Sequence, residues 1–236
     1  MNEPGRISLK SRLESIEERI RRACDRVGRR RESVRLIAVT KTHPVDTIQA
    51  LIDLGVRDIG ESRVQELEHK APLLHGEYVL HLIGHLQTNK VGKVLPLVKW
   101  IQSIDSDRLV SRIENIQAAG RKTEALVEVN TSGEASKSGC APSECGALCE
   151  RVAASSALTL KGLMTIGPLN AGEDGIRGAF QLLRGLAEKC RTAGFVSGTP
   201  ELSMGMSNDF EWAIEEGSTM VRIGTALIGE RDYAAY

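Results

Sequence analysis

The segment Thr40-Lys41-Thr42-His43 follows directly on the aliphatic run Leu36-Ile37-Ala38-Val39. A lysine at the end of a buried strand is partly desolvated, which disfavours its ammonium form and frees the amine as a nucleophile. Such an amine condenses with an aldehyde to a Schiff base. The ordinary alternative is a lysine whose head reaches water along its own stem. A second group lies near the C-terminus: Ser203-Met204-Gly205-Met206-Ser207, then Met220-Val221-Arg222-Ile223-Gly224-Thr225. Ser207 is placed to cap a helix running to Glu216, and the open N–H groups of a helix start favour an anion such as phosphate. Gly224 lets backbone approach that anion closely, and Thr225 adds a hydroxyl beside it. A plain N-cap and an ordinary glycine turn would use the same residues without a ligand. Arg222 stands inside a short apolar run, which is costly unless its guanidinium is paired or faces a ligand. Facing a ring nitrogen it would donate a hydrogen bond and leave that nitrogen unprotonated. Its ordinary alternative is an ion pair with a glutamate such as Glu61.

Bringing positions 41 and 222 together requires a closed or tightly wound fold. From Val34 onward, short aliphatic runs alternate with longer amphipathic stretches. The runs are Leu36 to Val39, Val56 to Ile59, Val79 to Ile83, Trp100 to Ile104, Ala125 to Val129, Leu160 to Ile166, Glu201 to Met204 and Met220 to Ile223. Helical candidates between them include Pro44–Leu54, Arg63–Leu74, Asp107–Ala119, Pro142–Ala154, Ile176–Ala193 and Ser207–Glu216, with Gly55, Gly120 and Gly194 at helix ends. Eight strand–helix repeats in about 200 residues predict a (β/α)8 barrel, with a doubly wound open sheet as the structural rival. No composition break divides the chain, so residues 1–236 are expected to form one domain. Ahead of the barrel, Leu9, Leu13, Ile16, Ile20 and Val27 recur at helical spacing and predict an extra amphipathic helix stopped by Gly28.

In such a barrel, chemistry belongs at the C-terminal ends of the strands. His85 lies just past the third run and is the better candidate for the open mouth, whereas His81 alternates with apolar neighbours as a core histidine would. Gly60-Glu61-Ser62 and Val129-Asn130-Thr131-Ser132 are further mouth candidates. Glu134 and Lys137 also fit a solvated loop.

Composition narrows the function classes. Of 236 residues, Lys plus Arg and Asp plus Glu each number 31, so no net field recruits nucleic acid or an anionic membrane. Aromatics at 3 % leave little for base stacking. The cluster Arg29-Arg30-Arg31 is interleaved and flanked by acids and fits a solvated helix end. No apolar run reaches a membrane span and no signal-peptide pattern opens the chain, so a cytoplasmic protein is expected. Five cysteines, an odd number, fit reduced thiols. Cys140, Cys145 and Cys149 match no standard zinc spacing, and no metal is expected.

Taken together these residues resemble the pyridoxal phosphate homeostasis proteins, whose single barrel is similar to the N-terminal domain of alanine racemase. The resemblance runs from about Leu36 to Gly229. It is carried by Ala38-Val39-Thr40-Lys41, Ile59-Gly60-Glu61, the stretch from Ile83 to Lys90, the stretch from Val129 to Gly139, Gly162-Leu163-Met164-Thr165-Ile166, Leu202 to Ser207, and Val221-Arg222-Ile223-Gly224-Thr225. It implies pyridoxal 5′-phosphate (PLP) as cofactor, held as an aldimine on Lys41. It also implies phosphate contacts at Ser207, Gly224 and Thr225, with Arg222 near the pyridine nitrogen and Met206, Ser62 and His85 around the site. The implied role is intracellular vitamin B6 balance without established turnover. A monomer is expected, with PLP-dependent apo-enzymes as the recipients of the cofactor. One departure stands out: the family usually reads Gly-Glu-Asn where this chain has Gly60-Glu61-Ser62, which puts any contact of that asparagine in doubt.

The rival reading is a PLP-dependent racemase or decarboxylase. A two-base racemase takes its second acid/base from an additional domain that this sequence does not supply. An unprotonated ring is also a poor electron sink.

Overall fold

The structure is a computed structural model that describes residues 3–229 apart from 119, 135 and 170. Eight parallel strands pair in chain order and the last closes on the first: β1 (Arg35–Val39), β2 (Asp58–Glu61), β3 (Val79–Leu82), β4 (Trp100–Ile104), β5 (Thr123–Glu128), β6 (Leu158–Met164), β7 (Glu201–Ser203) and β8 (Met220–Ile223). The barrel predicted from the alternation is therefore present, and the open-sheet rival is not. Closure is made by β1 and β8, in register from Arg35 with Met220 to Ala38 with Ile223.

Strand residues alternate between two environments. Leu36 and Ala38 pack outward into the large cluster shared with the helices, while Ile37 joins Trp100, Leu126, Met164 and Met220 in a small inner cluster. Around the strands lie α2 (Val45–Asp53), α3 (Val64–Lys70), α4 (Val91–Val94), α5 (Asp107–Ile116), α6 (Cys145–Ala153), α7 (Glu173–Thr192), α8 (Phe210–Glu215) and the single turn α9 (Thr225–Ile228).

The extra N-terminal helix is α1 (Glu3–Arg26), which buries Leu9, Ile16 and Ile20. Val27 was expected on that face but lies past the last turn and is 41 % exposed. Arg12 donates to the carbonyls of Leu227 (2.8 Å) and Ile228 (3.0 Å), and Arg19 makes two bonds to Glu211, so α1 clasps the end of the barrel. The basic cluster serves structure too: Arg29 donates to the Ile214 carbonyl and Arg31 pairs with Glu17.

Several boundaries shift by a few residues, as α6 and β6 do, and two of the shifts have clear local reasons. The Val56 N–H closes the turn after α2 by bonding to the Leu51 carbonyl at 3.0 Å, so β2 starts only at Asp58. The helix expected from Ser207 begins at Phe210, because the Asp209 carboxylate accepts the Met206 N–H at 2.6 Å and turns the chain first.

Candidate functional site

Lys41 follows β1 at the C-terminal mouth, half-buried, and its backbone is pinned on both sides. Thr40 donates its N–H to the Gly60 carbonyl and its hydroxyl to Glu61 Oε1 at 2.7 Å. The Thr42 N–H donates to Glu66 Oε2 at 2.6 Å. Behind them the buried Lys70 Nζ reaches Glu61 (2.8 Å), Glu66 (2.6 Å) and the Thr40 carbonyl (3.0 Å). Glu61 thus faces α3, outside the barrel, and belongs to the scaffold that holds Lys41; it does not line the mouth. Burial pushes its carboxyl pKa above the ordinary range, opposed by Lys70. Thr42 adopts φ +66°, an uncommon left-handed geometry for a β-branched residue.

On the neighbouring strand, Gly224 ends β8 against Val39, where a Cβ would sit 3.4 Å from the Val39 side chain. The register of β1 with β8 sets this turn beside the strand end that carries Lys41. Thr225, exposed, opens α9. Ser207 does not cap the helix it was expected to cap. Its hydroxyl accepts the Ala226 N–H at 3.3 Å and stitches the loop after β7 to the turn after β8. Met206 is half-buried in the same loop. Gly205 makes this approach possible: its φ is +93° and a Cβ there would meet Ala213 Cβ at 2.5 Å.

Arg222 is 4 % exposed. Nη1 donates to Ser203 Oγ at 2.6 Å and Nη2 to the Thr165 carbonyl at 2.8 Å. Among the described residues it makes no ion pair with Glu61, whose partner is Lys70. Burial lowers the Arg222 pKa to about 10, opposed by the charges of Glu128 and Asp209, so it remains cationic at neutral pH. Ser203 Oγ passes the bonding on to Gln102 Oε1 at 2.7 Å, Gln102 Nε2 donates to His81 Nδ1 at 3.0 Å, and His81 Nε2 to Asp58 Oδ1 at 2.9 Å. A polar file therefore crosses a barrel interior that is normally filled by apolar layers. Its direction assigns the His81 proton to Nε2, and burial keeps that ring's pKa below the ordinary value against the pull of Asp58. His81 is the satisfied core histidine expected of it.

The residue that motif reading passed over is Glu128, at the end of β5. It is 3 % exposed, and its Oε2 has no hydrogen-bond partner among the described residues. Burial pushes its pKa up to about 7, with Asp105 adding to the rise and Arg222 and His85 opposing it. His85 is exposed and pairs with Asp105 at 2.9 Å. Ser62 is half-buried, and its backbone packs so tightly on Gly84 that no Cβ fits between them. Glu134 and Lys137 are not a solvated pair: Lys137 binds Glu134 at 2.9 Å and the Gly167 carbonyl at 2.6 Å, tying the loop after β5 to the segment after β6.

The mouth thus offers a lysine, a buried guanidinium that bonds Ser203 and the Thr165 carbonyl, two loops stitched by a backbone N–H, and a carboxyl oxygen without a partner among the described residues. This set suits a ligand with a carbonyl carbon, a ring acceptor and an anionic tail.

The sequence model of the family described as "Alanine racemase, N-terminal domain" matches residues 11–232, which sets the class of barrel. A pyridoxal phosphate homeostasis protein of Aquifex aeolicus is 39 % identical over 224 residues, covering 94 % of this chain and 98 % of its own. The chain belongs to the pyridoxal phosphate homeostasis protein family. Among solved structures, an unknown protein from Bifidobacterium adolescentis superposes with a TM-score of 0.91 at 41 % identity, over 96 % of this chain and 97 % of that one. PipY of Synechococcus elongatus PCC7942 with PLP bound gives 0.78 at 31 % identity, over 94 % of this chain and all of that one.

Proposed function

We propose that this chain binds PLP covalently through Lys41 and takes part in intracellular PLP homeostasis, holding and releasing the cofactor without catalytic turnover. The observation that carries this reading is the closure of β1 on β8, which sets the strand end bearing Lys41 beside the Gly224 turn and its stitch to Ser207. The PLP-bound relative supports it.

In this reading Ser207, Gly224 and Thr225 grip the phosphate with Met206 beside them, and Arg222 donates toward the pyridine nitrogen. Ser62 and His85 flank the open side, where an incoming amine enters. When bound, PLP supplies an electrophilic carbonyl and a ring able to withdraw electrons. A permanently cationic Arg222 donates without giving up a proton, so it keeps the ring nitrogen unprotonated and the ring a weak sink. The chain acts as a single domain and a monomer in the cytoplasm, and PLP-dependent apo-enzymes receive its cargo. No helix among the described residues is long and apolar enough to cross a membrane.

Borohydride reduction of the holoprotein, digestion and mass spectrometry test the anchor. The pyridoxyl label is expected on Lys41, and Lys41→Ala loses both label and visible absorption while keeping its far-ultraviolet circular dichroism. A label on another lysine overturns the assignment. A second reading, a racemase or decarboxylase, draws support from Glu128, a buried carboxyl able to hold a proton near neutral pH. Exchange of an amino acid's α-hydrogen with deuterated solvent at enzyme-like rates would establish it; none is expected.

A further inference from the structure

Three cysteines with no part in the cofactor site converge between α6 and α7. Cys145 and Cys149 stand one helical turn apart on α6 and so share a face; Cys190 comes from the end of α7. All three are buried free thiols, and their sulfurs lie within 4.8 Å of one another, Cys145 and Cys149 at 3.9 Å.

A metal–thiolate bond of about 2.3 Å places three sulfurs around one ion about 4.0 Å apart. The α6 pair already has that spacing, and the other pairs need close by no more than about 0.8 Å. Apolar packing explains why any single cysteine is buried. It does not explain why three sulfurs from two helices converge within ligand distance of one another. A cavity of about 590 Å³ opens next to the group, lined by Asp105, Asp107, Glu144, Cys140, Leu148 and Arg151. Its carboxylates outnumber its guanidinium, which favours entry of a cation, and Cys140 stands between it and Cys145. Zinc prefers four ligands in a closed site, whereas soft sulfur-only ligation suits copper(I).

We propose that Cys145, Cys149 and Cys190 form a three-sulfur site for copper(I), reached through the cavity beside Cys140. Three Cu–S bonds replace S–H bonds, the displaced protons pass to solvent, and no electron is transferred. The sequence hides this site because its third ligand comes from the next helix.

The test is anaerobic titration of the reduced full-length protein with copper(I) in competition with a chromogenic copper(I) chelator, followed by X-ray absorption at the copper edge. The expected result is one copper per chain withheld from the chelator, with sulfur neighbours only, at about 2.3 Å. Cys149→Ser is expected to lower the affinity at least about tenfold, as loss of a ligand worth about 1.4 kcal/mol or more requires, whereas Cys24→Ser, away from the group, leaves it unchanged. Complete loss of copper to the chelator overturns the proposal, as do nitrogen or oxygen neighbours, or equal effects of the two variants. The absorption measurement on the unsubstituted protein decides the matter if Cys149→Ser does not fold.

Discussion

Glu128 carries a pH signature that can be worked out in sign. Burial pushes its carboxyl pKa from the ordinary carboxylate range up to about 7, so the native chain holds this proton more tightly than the unfolded chain does. The resulting penalty is absent below the unfolded value, grows through the window between the two, and is complete above the folded one. Glu128→Gln removes it. The variant's gain over the parent in cofactor-free denaturant unfolding should be near zero at pH about 4 and should approach roughly 3 kcal/mol at pH about 8. A constant difference across that range would show that Glu128 does not titrate there. Lys41 and Arg222 were legible in the sequence because each is a charged residue set against an apolar run, which demands a chemical reason. Glu128 sits in an equally apolar run, Ala125 to Val129, and was read as part of the strand. The available signal was parity: it lies two residues past Leu126, which faces the barrel axis.

Between elements, the polar file and the α3 clasp set separate parts of the site. Ser203 joins β7 to the guanidinium from β8 and the amide from β4, so Ser203→Ala strands two buried groups at once. It should cost about 2 to 4 kcal/mol in denaturant unfolding and alter the visible spectrum of bound PLP through Arg222; an unchanged stability would show that the file carries no energetic weight. Lys70 answers two carboxylates behind Lys41, and its side chain is only 6 % exposed. Lys70→Met leaves Glu61 buried and uncompensated and should cost about 3 to 5 kcal/mol, as seen in thermal or chemical unfolding. A loss under about 1 kcal/mol, of the size given by surface pairs, would refute that account. Strand order and most boundaries were readable because aliphatic runs of four to seven residues have few other uses in a barrel. The roles of Lys70 and Gln102 were not, since each depends on a partner from another strand or helix that periodicity does not name. The later start of α8 was not legible because it depends on the Asp209 side chain folding back to accept the Met206 N–H, a local turn that apolar periodicity does not report.

For the molecule as a whole, closure does the assembling. Only when β8 pairs with β1 do the two ends of the chain's chemistry meet, and α1 then clasps α8 and the carbonyls of α9 from outside. Folding is therefore expected to be complete without cofactor, and hydrogen exchange offers the check. The Thr40 and Thr42 amides, bonded to Gly60 and Glu66, should be about equally protected in the apo and holo proteins. Strong protection that appears only on adding PLP would mean that the cofactor builds its own seat.

The left-handed Thr42 has a consequence for the rate at which that seat fills. Its φ of +66° is tolerated because the Thr42 N–H is anchored to Glu66 and its hydroxyl bonds the Lys41 carbonyl at 2.6 Å. Those bonds fix the direction in which the chain leaves Lys41 before any ligand arrives. Capture then needs no ordering step, so the observed rate should rise linearly with PLP concentration until the chemical step limits it. Loading and unloading at this seat then become a matter of diffusion and bond exchange.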